Sequence, residues 1–188
     1  MRRACLPLAL VSACLALSAQ APATRVAFAP GGRLAADLEA GDYTFEPGAG
    51  DAIVVTWTTD TSGQPTIRLE GAGSRARLSM TRTPHQNFRV RVEVPARCDL
   101  QVRLTAGDLR VGAIEGHKDL FTRAGDLWVA VPNPGVYGPV RASVWAGDIH
   151  ARAFGGEKGG LFRSFEWKGG GPYALRAATW AGDITLAP

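Results

Sequence analysis

Ala-Gly-Asp followed by an apolar residue recurs along this chain, and no other feature constrains the fold as tightly. The pattern stands at Ala106-Gly107-Asp108-Leu109, Ala124-Gly125-Asp126-Leu127, Ala146-Gly147-Asp148-Ile149 and Ala181-Gly182-Asp183-Ile184. An earlier copy is Ala40-Gly41-Asp42-Tyr43. The last four aspartates are spaced 18, 22 and 35 residues apart. Glycine reaches positive φ without a steric penalty, and an aspartate carboxylate hydrogen-bonds nearby backbone, so Gly-Asp is a corner with a mechanism. A corner returning roughly every 20 residues, with alternating apolar residues on both sides, predicts short strands stacked as rungs.

The alternation is continuous. Phe88, Val90, Val92 and Val94 share one strand face, with Arg89, Arg91 and Glu93 on the other. Pro95 ends that strand because it cannot donate to a ladder. Leu100, Val102, Leu104 and Ala106 repeat the pattern up to the first of the four closely spaced corners, and Leu109 and Val111 point back inward. Leu120, Thr122, Leu127 and Val129 do the same around the next corner, as do Ala142, Val144, Ile149 and Ala151 around the third. Thr179, Ile184 and Leu186 flank the last. Residues 34–39 also obey period 2 and read as strand rather than helix. Trp167-Lys168-Gly169-Gly170 looks like a degenerate corner that would fill part of the longest gap. The expected architecture is all-β, a single-domain β-solenoid or β-roll over residues 24–188.

The first residues read as an export signal. Arg2 and Arg3 precede an apolar run from Ala4 to Ala19, too short for a comfortable membrane span of roughly 20 residues. Two exits are open. A small-residue cleavage site ends a signal peptide over residues 1–23. Alternatively Val11-Ser12-Ala13-Cys14 resembles a lipobox, which would remove residues 1–13 and lipidate Cys14. With Cys5 and Cys14 in the leader, Cys98 is the one cysteine left, so no internal disulfide is available. Losing Arg2 and Arg3 lowers the formal net charge from +4 to +2. The remaining arginines alternate with apolar residues instead of clustering, which argues against nucleic-acid binding.

An alternating strand ending in Val92-Glu93-Val94-Pro95, a second running into Gly107-Asp108-Leu109, and Gly-Asp corners onward to Gly182-Asp183-Ile184 resemble the bacterial "putative adhesin" β-strand-repeat family. The resemblance covers about residues 30–187. It implies an extracytoplasmic domain of the envelope or surface, an envelope glycan or protein as partner, and no catalytic residues or cofactor.

Chemistry-bearing residues are few. Stacked strands lie about 4.8 Å apart, so corner aspartates of neighbouring rungs would repel by roughly 0.9 kcal/mol even in water. They therefore need backbone donors, arginines or a cation. Backbone N–H groups at each aspartate's own turn are the favoured partners, because calcium-binding repeats are denser and strictly periodic. One-rung and two-rung separations would also suit a glycosidase carboxylate pair, at about 5–5.5 Å or 6.5–9.5 Å. Repeated equivalent corners, however, do not push two pKa values apart as an acid and a base require. A polysaccharide-active β-helix enzyme and a purely structural envelope protein are the alternatives to a binding module. His85, His117 and His150 lack metal-ligand spacing, and Cys98 reads as a half-buried structural cysteine.

The tryptophans are the candidate binding residues. Trp145 and Trp180 each precede a corner by one position, and Trp167 precedes the degenerate one. Strict alternation turns that position outward, with Arg123 equivalent on an earlier rung and Trp128 outward beyond its corner. A row of exposed indoles would stack on a sugar or a protein partner.

Overall fold

The computed structural model describes residues 23–60, 63–84 and 87–188. The leader, including the cleavage and lipidation sites about Cys14, lies outside the described residues, as does His85. Among the described residues, alternating apolar and polar residues form seventeen strands. The first seven are β1 (Ala23–Ala27), β2 (Gly32–Ala40), β3 (Asp42–Pro47), β4 (Ala52–Thr58), β5 (Thr66–Ala72), β6 (Arg75–Thr81) and β7 (Arg89–Val94). Then come β8 (Cys98–Ala106), β9 (Leu109–Val111), β10 (Lys118–Ala124), β11 (Leu127–Ala130), β12 (Tyr137–Ala146) and β13 (Ile149–Ala151). The last are β14 (Gly156–Lys158), β15 (Leu161–Lys168), β16 (Tyr173–Ala181) and β17 (Ile184–Ala187). The helical segments among the described residues are two three-residue 3₁₀ turns.

Each Gly-Asp corner joins a strand of one sheet to a strand of the other. The eight-stranded sheet runs β15-β12-β16-β10-β8-β2-β6-β5, and the nine-stranded sheet runs β1-β4-β7-β3-β9-β11-β17-β13-β14. Both sheets are mixed. Their central strands are parallel, as between β2, β8, β10, β16 and β12. Strands of reversed direction close both ends: β14 and β15 at one, β4 and β5 at the other.

The rungs do not stack in chain order. The β2/β3 rung sits between β6/β7 and β8/β9, and the last rung, β16/β17, sits between β10/β11 and β12/β13. This explains the 35-residue spacing. The chain leaves a slot open, passes through β12/β13, reverses through β14 and β15, and returns to fill it. Residues 167–170 are therefore not a corner. Trp167 lies on an antiparallel strand opposite Val140, which is fully buried, so its ring turns inward.

Between the sheets lies one apolar core containing Leu34, Tyr43, Val92, Val102, Leu109, Leu120, Val129, Ile149 and Ile184, all inaccessible or nearly so. The expected inward register holds for Val90, Val92, Leu100, Val102, Leu109, Val129, Val144, Ile149 and Ile184. Cys98 is fully buried rather than half-buried. Because the core is parallel-stacked, an ionised group placed at Val102 has β2 and β10 on either side and no water. Val102→Asp is expected to abolish cooperative folding, since an unpaired buried charge costs more than a domain of this size holds in reserve. Circular dichroism through a urea titration reads the outcome.

The corner glycines carry a second constraint. Gly41, Gly107, Gly125, Gly182 and Gly147 all have φ between +106° and +148°. A Cβ on Gly125 would collide with the carbonyl of Gly107, and one on Gly182 with the carbonyl of Gly125. Gly50 has φ +108° but open space around it. Gly125→Ala is thus expected to destabilise by several kcal/mol where Gly50→Ala costs about 1–3 kcal/mol of backbone strain alone. Paired denaturant melts would show whether the difference comes from stacking.

Candidate functional site

The aspartate column resolves into a ladder of backbone contacts. The N–H of Asp126 donates to Asp108 Oδ1 at 3.1 Å, that of Asp183 to Asp126 Oδ1 at 2.9 Å, and that of Asp148 to Asp183 Oδ1 at 2.8 Å. The N–H of Gly160, in the reversing turn, donates to Asp148 Oδ1 at 3.1 Å and ends the column. The donors are on the next rung, not at each aspartate's own turn, which corrects the expectation from local turn chemistry. The aspartate carbonyls complete the tie: Leu109, Leu127 and Ile184 donate their N–H groups to Asp126, Asp183 and Asp148. Each carboxylate is thereby committed to holding its neighbour. No group of three or more His, Cys, Asp or Glu side chains placed to hold a metal occurs among the described residues.

The indoles separate into three environments. Trp145 on β12 and Trp180 on β16 are side by side on the outer face of the eight-stranded sheet, since Val144 pairs with Thr179 and Ala146 with Ala181. They are 55% and 48% exposed, and their rings meet edge to face at 6.5 Å. Arg123 occupies the equivalent place on β10 and lays its guanidinium 5.0 Å from the centre of the Trp180 ring. Trp167 is not with them. It packs against Phe154 with centroids 4.8 Å apart, as part of the core margin. Trp128 is on the other sheet, between Arg110 and Thr185, on the opposite side of the molecule.

Sequence reasoning missed the rest of this surface. Phe162 on β15 stands beside Trp145 with centroids 5.8 Å apart, and Phe121 on β10 meets Trp180 edge-on at 6.2 Å. Leu161 and Phe162 are 63% and 74% exposed. The available signal was an apolar pair directly after Gly159-Gly160, where a turn ordinarily continues with polar residues. Together Trp145, Trp180 and Phe162 form an apolar face at the end of the stack, and Leu161, opposite Ala146 and so turned to the other side of β15, extends it round the edge strand into a lip. On this outer face, Ser143 alone separates Trp145 from Arg141 on β12, and Ala178 alone separates Trp180 from Arg176 on β16. Arg141 and Arg176 are direct cross-strand neighbours. Arg141 is paired with Glu166 at 3.3 Å.

A hollow of about 390 Å³ opens beyond these arginines, bounded by Arg33, Asp99, His117, Pro139, Arg141 and Arg176. His117 Nδ1 accepts the Ala174 N–H at 3.0 Å, and its own backbone N–H donates to Asp99 Oδ1 at 2.9 Å. Beneath it lies Lys118, 2% exposed. Its ammonium donates to the Ile114 carbonyl at 2.5 Å and to the Tyr137 hydroxyl. Burial pushes its pKa down to about 8, outweighing the opposing pull of Cys98, Asp99 and Glu115. Burial also raises the Cys98 thiol to about 12, which leaves it unreactive as a nucleophile. A larger hollow of about 490 Å³ lies on the other sheet, where Arg91 is tied to Glu46 at 2.5 Å and to Glu93 at 3.4 Å.

The chain matches no family model and no curated protein. Its fold is similar to the crystal structure of a "putative cell adhesion protein" from Clostridium sporogenes. The match has a TM-score of 0.49 and 11% identity, and covers 89% of this chain and 99% of that one. Among the described residues no helix is long and apolar enough to cross a membrane.

The buried lysine gives a pH signature. Between about pH 8 and its ordinary 10.5, the unfolded chain holds a proton that native Lys118 lacks, so stability rises with pH across that window. Cys98 acts in the opposite sense above pH 9, where the native thiol keeps the proton that the unfolded chain loses. The lysine contribution is therefore cleanest from pH 8 to 9. Chemical denaturation at those two pH values should show stability rising in the parent, with a flatter response in Lys118→Met.

Proposed function

We propose that this chain is a non-enzymatic, extracytoplasmic binding module, adhesin-like in role, whose corner-linked rungs act as a rigid β-roll scaffold. Its outer aromatic face engages a component of the cell envelope. The observation that carries this reading is the adjacent pair Trp145 and Trp180, half exposed on a flat sheet face that needs neither for its core. Exposed contiguous apolar surface is costly in a soluble protein unless something covers it. Residues 1–23, read as an export signal, support an envelope location, by secretion or through a lipid on Cys14. The corner aspartates support a structural and not a catalytic role, because every Oδ1 from Asp108 to Asp148 holds a backbone N–H in the same way.

Retention of the protein on envelope fractions of its native host tests the reading. Trp145→Ala and Trp180→Ala should each weaken retention by about 1–3 kcal/mol, the scale of an interface anchor, and leave the melting temperature nearly unchanged. Trp128→Ala, on the opposite face, should leave retention intact. Equal loss from Trp128→Ala, or no loss from either of the paired indoles, removes the aromatic face from the function.

A further inference from the structure

We propose that the lip formed by Trp145, Leu161, Phe162 and Trp180 docks the domain onto the surface of an anionic lipid bilayer. This rests on the reading of the chain as an envelope-binding module and names the component bound.

The lip gathers every large hydrophobic residue that is exposed among the described residues. Leu161 and Phe162 project furthest, at 63% and 74% exposure, directly after the reversing turn at Gly159-Gly160. Phe162 also has φ +53°, a left-handed conformation that is an outlier for a bulky residue. Glycine or asparagine would hold that turn at less strain, so the aromatic ring is kept there against the local backbone preference. Behind the two projecting residues stand the indoles. Their apolar bodies and single N–H donors suit the boundary between lipid tails and headgroups.

The charge around the lip fits an anionic surface. Among the described residues Lys158, Arg163, Arg123 and Arg176 have no carboxylate partner. Arg163 donates to the Gly159 carbonyl, and Arg123 lies on the Trp180 ring. The nearby carboxylates are engaged: Glu157 by Arg152, Glu166 by Arg141, and Asp148 by the Gly160 N–H. Long basic side chains beside an apolar wedge can reach up to phosphate groups while their stems stay on apolar surface. The same geometry disfavours other occupants. Trp145 and Trp180 stand at 81° to one another, and Arg123 covers one face of Trp180, so no flat two-ring platform is offered to a sugar chain. A second copy brought face to face would set like cations against each other.

Among the described residues both sheets and the core between them lie within residues 23–188, and that span is the form to test. The probes are vesicles of phosphatidylglycerol mixed with phosphatidylcholine, and vesicles of phosphatidylcholine alone. Co-sedimentation should favour the anionic vesicles by about tenfold or more and weaken with salt. Tryptophan emission should shift blue on binding. Leu161→Ser combined with Phe162→Gly should reduce vesicle binding by about tenfold or more. The fold should survive, because both side chains are exposed and glycine relaxes the positive φ; an unchanged or raised melting temperature checks this. Lys158→Gln with Arg163→Gln should flatten the salt dependence and leave the emission shift at saturation.

Equal affinity for both vesicles, no binding to either, or full binding by the Leu161/Phe162 variant would overturn the proposal. If lipid-free peptidoglycan or a protein partner retains the chain through Trp145 and Trp180 while vesicles do not, the envelope-binding reading stands and the bilayer is the wrong component. Concentration-dependent dimerisation abolished by the same variant would likewise assign the lip to self-association and overturn it.

Discussion

From β8/β9 through β10/β11 and β16/β17 to β12/β13, each parallel rung is held to the next by one corner contact made twice over. The carboxylate of one corner aspartate accepts the N–H of the next, and that next residue returns its carbonyl to the apolar residue after the first corner. A sheet ladder alone would leave these groups without partners where the chain bends from one sheet to the other. Buried or half-buried, such groups cost as much as a lost hydrogen bond. The aspartate turns that deficit into an additional link along the stack. The glycine before it is required for a separate reason, because its α-carbon rests against the carbonyl of the glycine below. One dipeptide thus fixes both the bend and the rung spacing, and the two sheets cannot slide past one another without breaking the column.

A parallel stack held this way has two ends, each with unpaired strand edges. The chain covers them with strands of reversed direction, which become the outer part of each sheet. At one end β14 and β15 run antiparallel to their neighbours, and the Gly160 N–H satisfies the last aspartate. At the other, β4 and β5 do the same, with β1 added outside β4. Reversal lets a tight turn replace the longer return that a parallel strand needs. It also explains why later strands enter between earlier ones: β7 fills the place between β3 and β4, and β16/β17 the one between β10/β11 and β12/β13. After each reversal the chain must come back over strands already laid down, and the vacant slot beside them buries its apolar face on two sides at once.

Much of this was legible in the sequence because period 2 and glycine are local signals. The inward faces of β8, β12 and β17 follow from alternation, and the five corners follow from Gly-Asp. What failed was non-local. Nothing in residues 106–149 indicates that Asp126 will meet Asp183 before Asp148, since that choice depends on a strand arriving more than 30 residues later. Strand direction was likewise hidden. Trp167 shares the alternation of Trp145, but β15 runs the other way and shows the core the face that a corner strand would show to solvent. The aspartate partners were misjudged for the same reason: turn chemistry describes what a residue can reach in its own segment, and here the better donor comes from a neighbouring one. Leu161 and Phe162 went unnoticed because two apolar residues after a pair of glycines read equally well as an ordinary strand start.

The row that contains the two exposed indoles separates what the fold needs from what it merely carries. Passing across the eight-stranded sheet one residue before each corner, the outward position is Trp145, Trp180, Arg123, Thr105 and then Glu39. The backbone environment is nearly the same at all five, because each flanks the same Ala-Gly corner on a parallel strand. The inward positions beside them do not vary like this; they are Val144, Thr179, Thr122, Leu104 and Leu38, all buried. A site that accepts a threonine, a carboxylate, a guanidinium and an indole exerts little packing preference of its own. The change from polar to aromatic therefore tracks position along the stack, not a demand of the rung. It coincides with the end where β15 is an edge strand. Edges are where soluble proteins usually place charge to prevent unwanted pairing. Here charge and apolar surface are both present, in a fixed order from arginine inward to phenylalanine at the rim. That gradient is unnecessary for stability, and it gives the molecule one end chemically unlike the other.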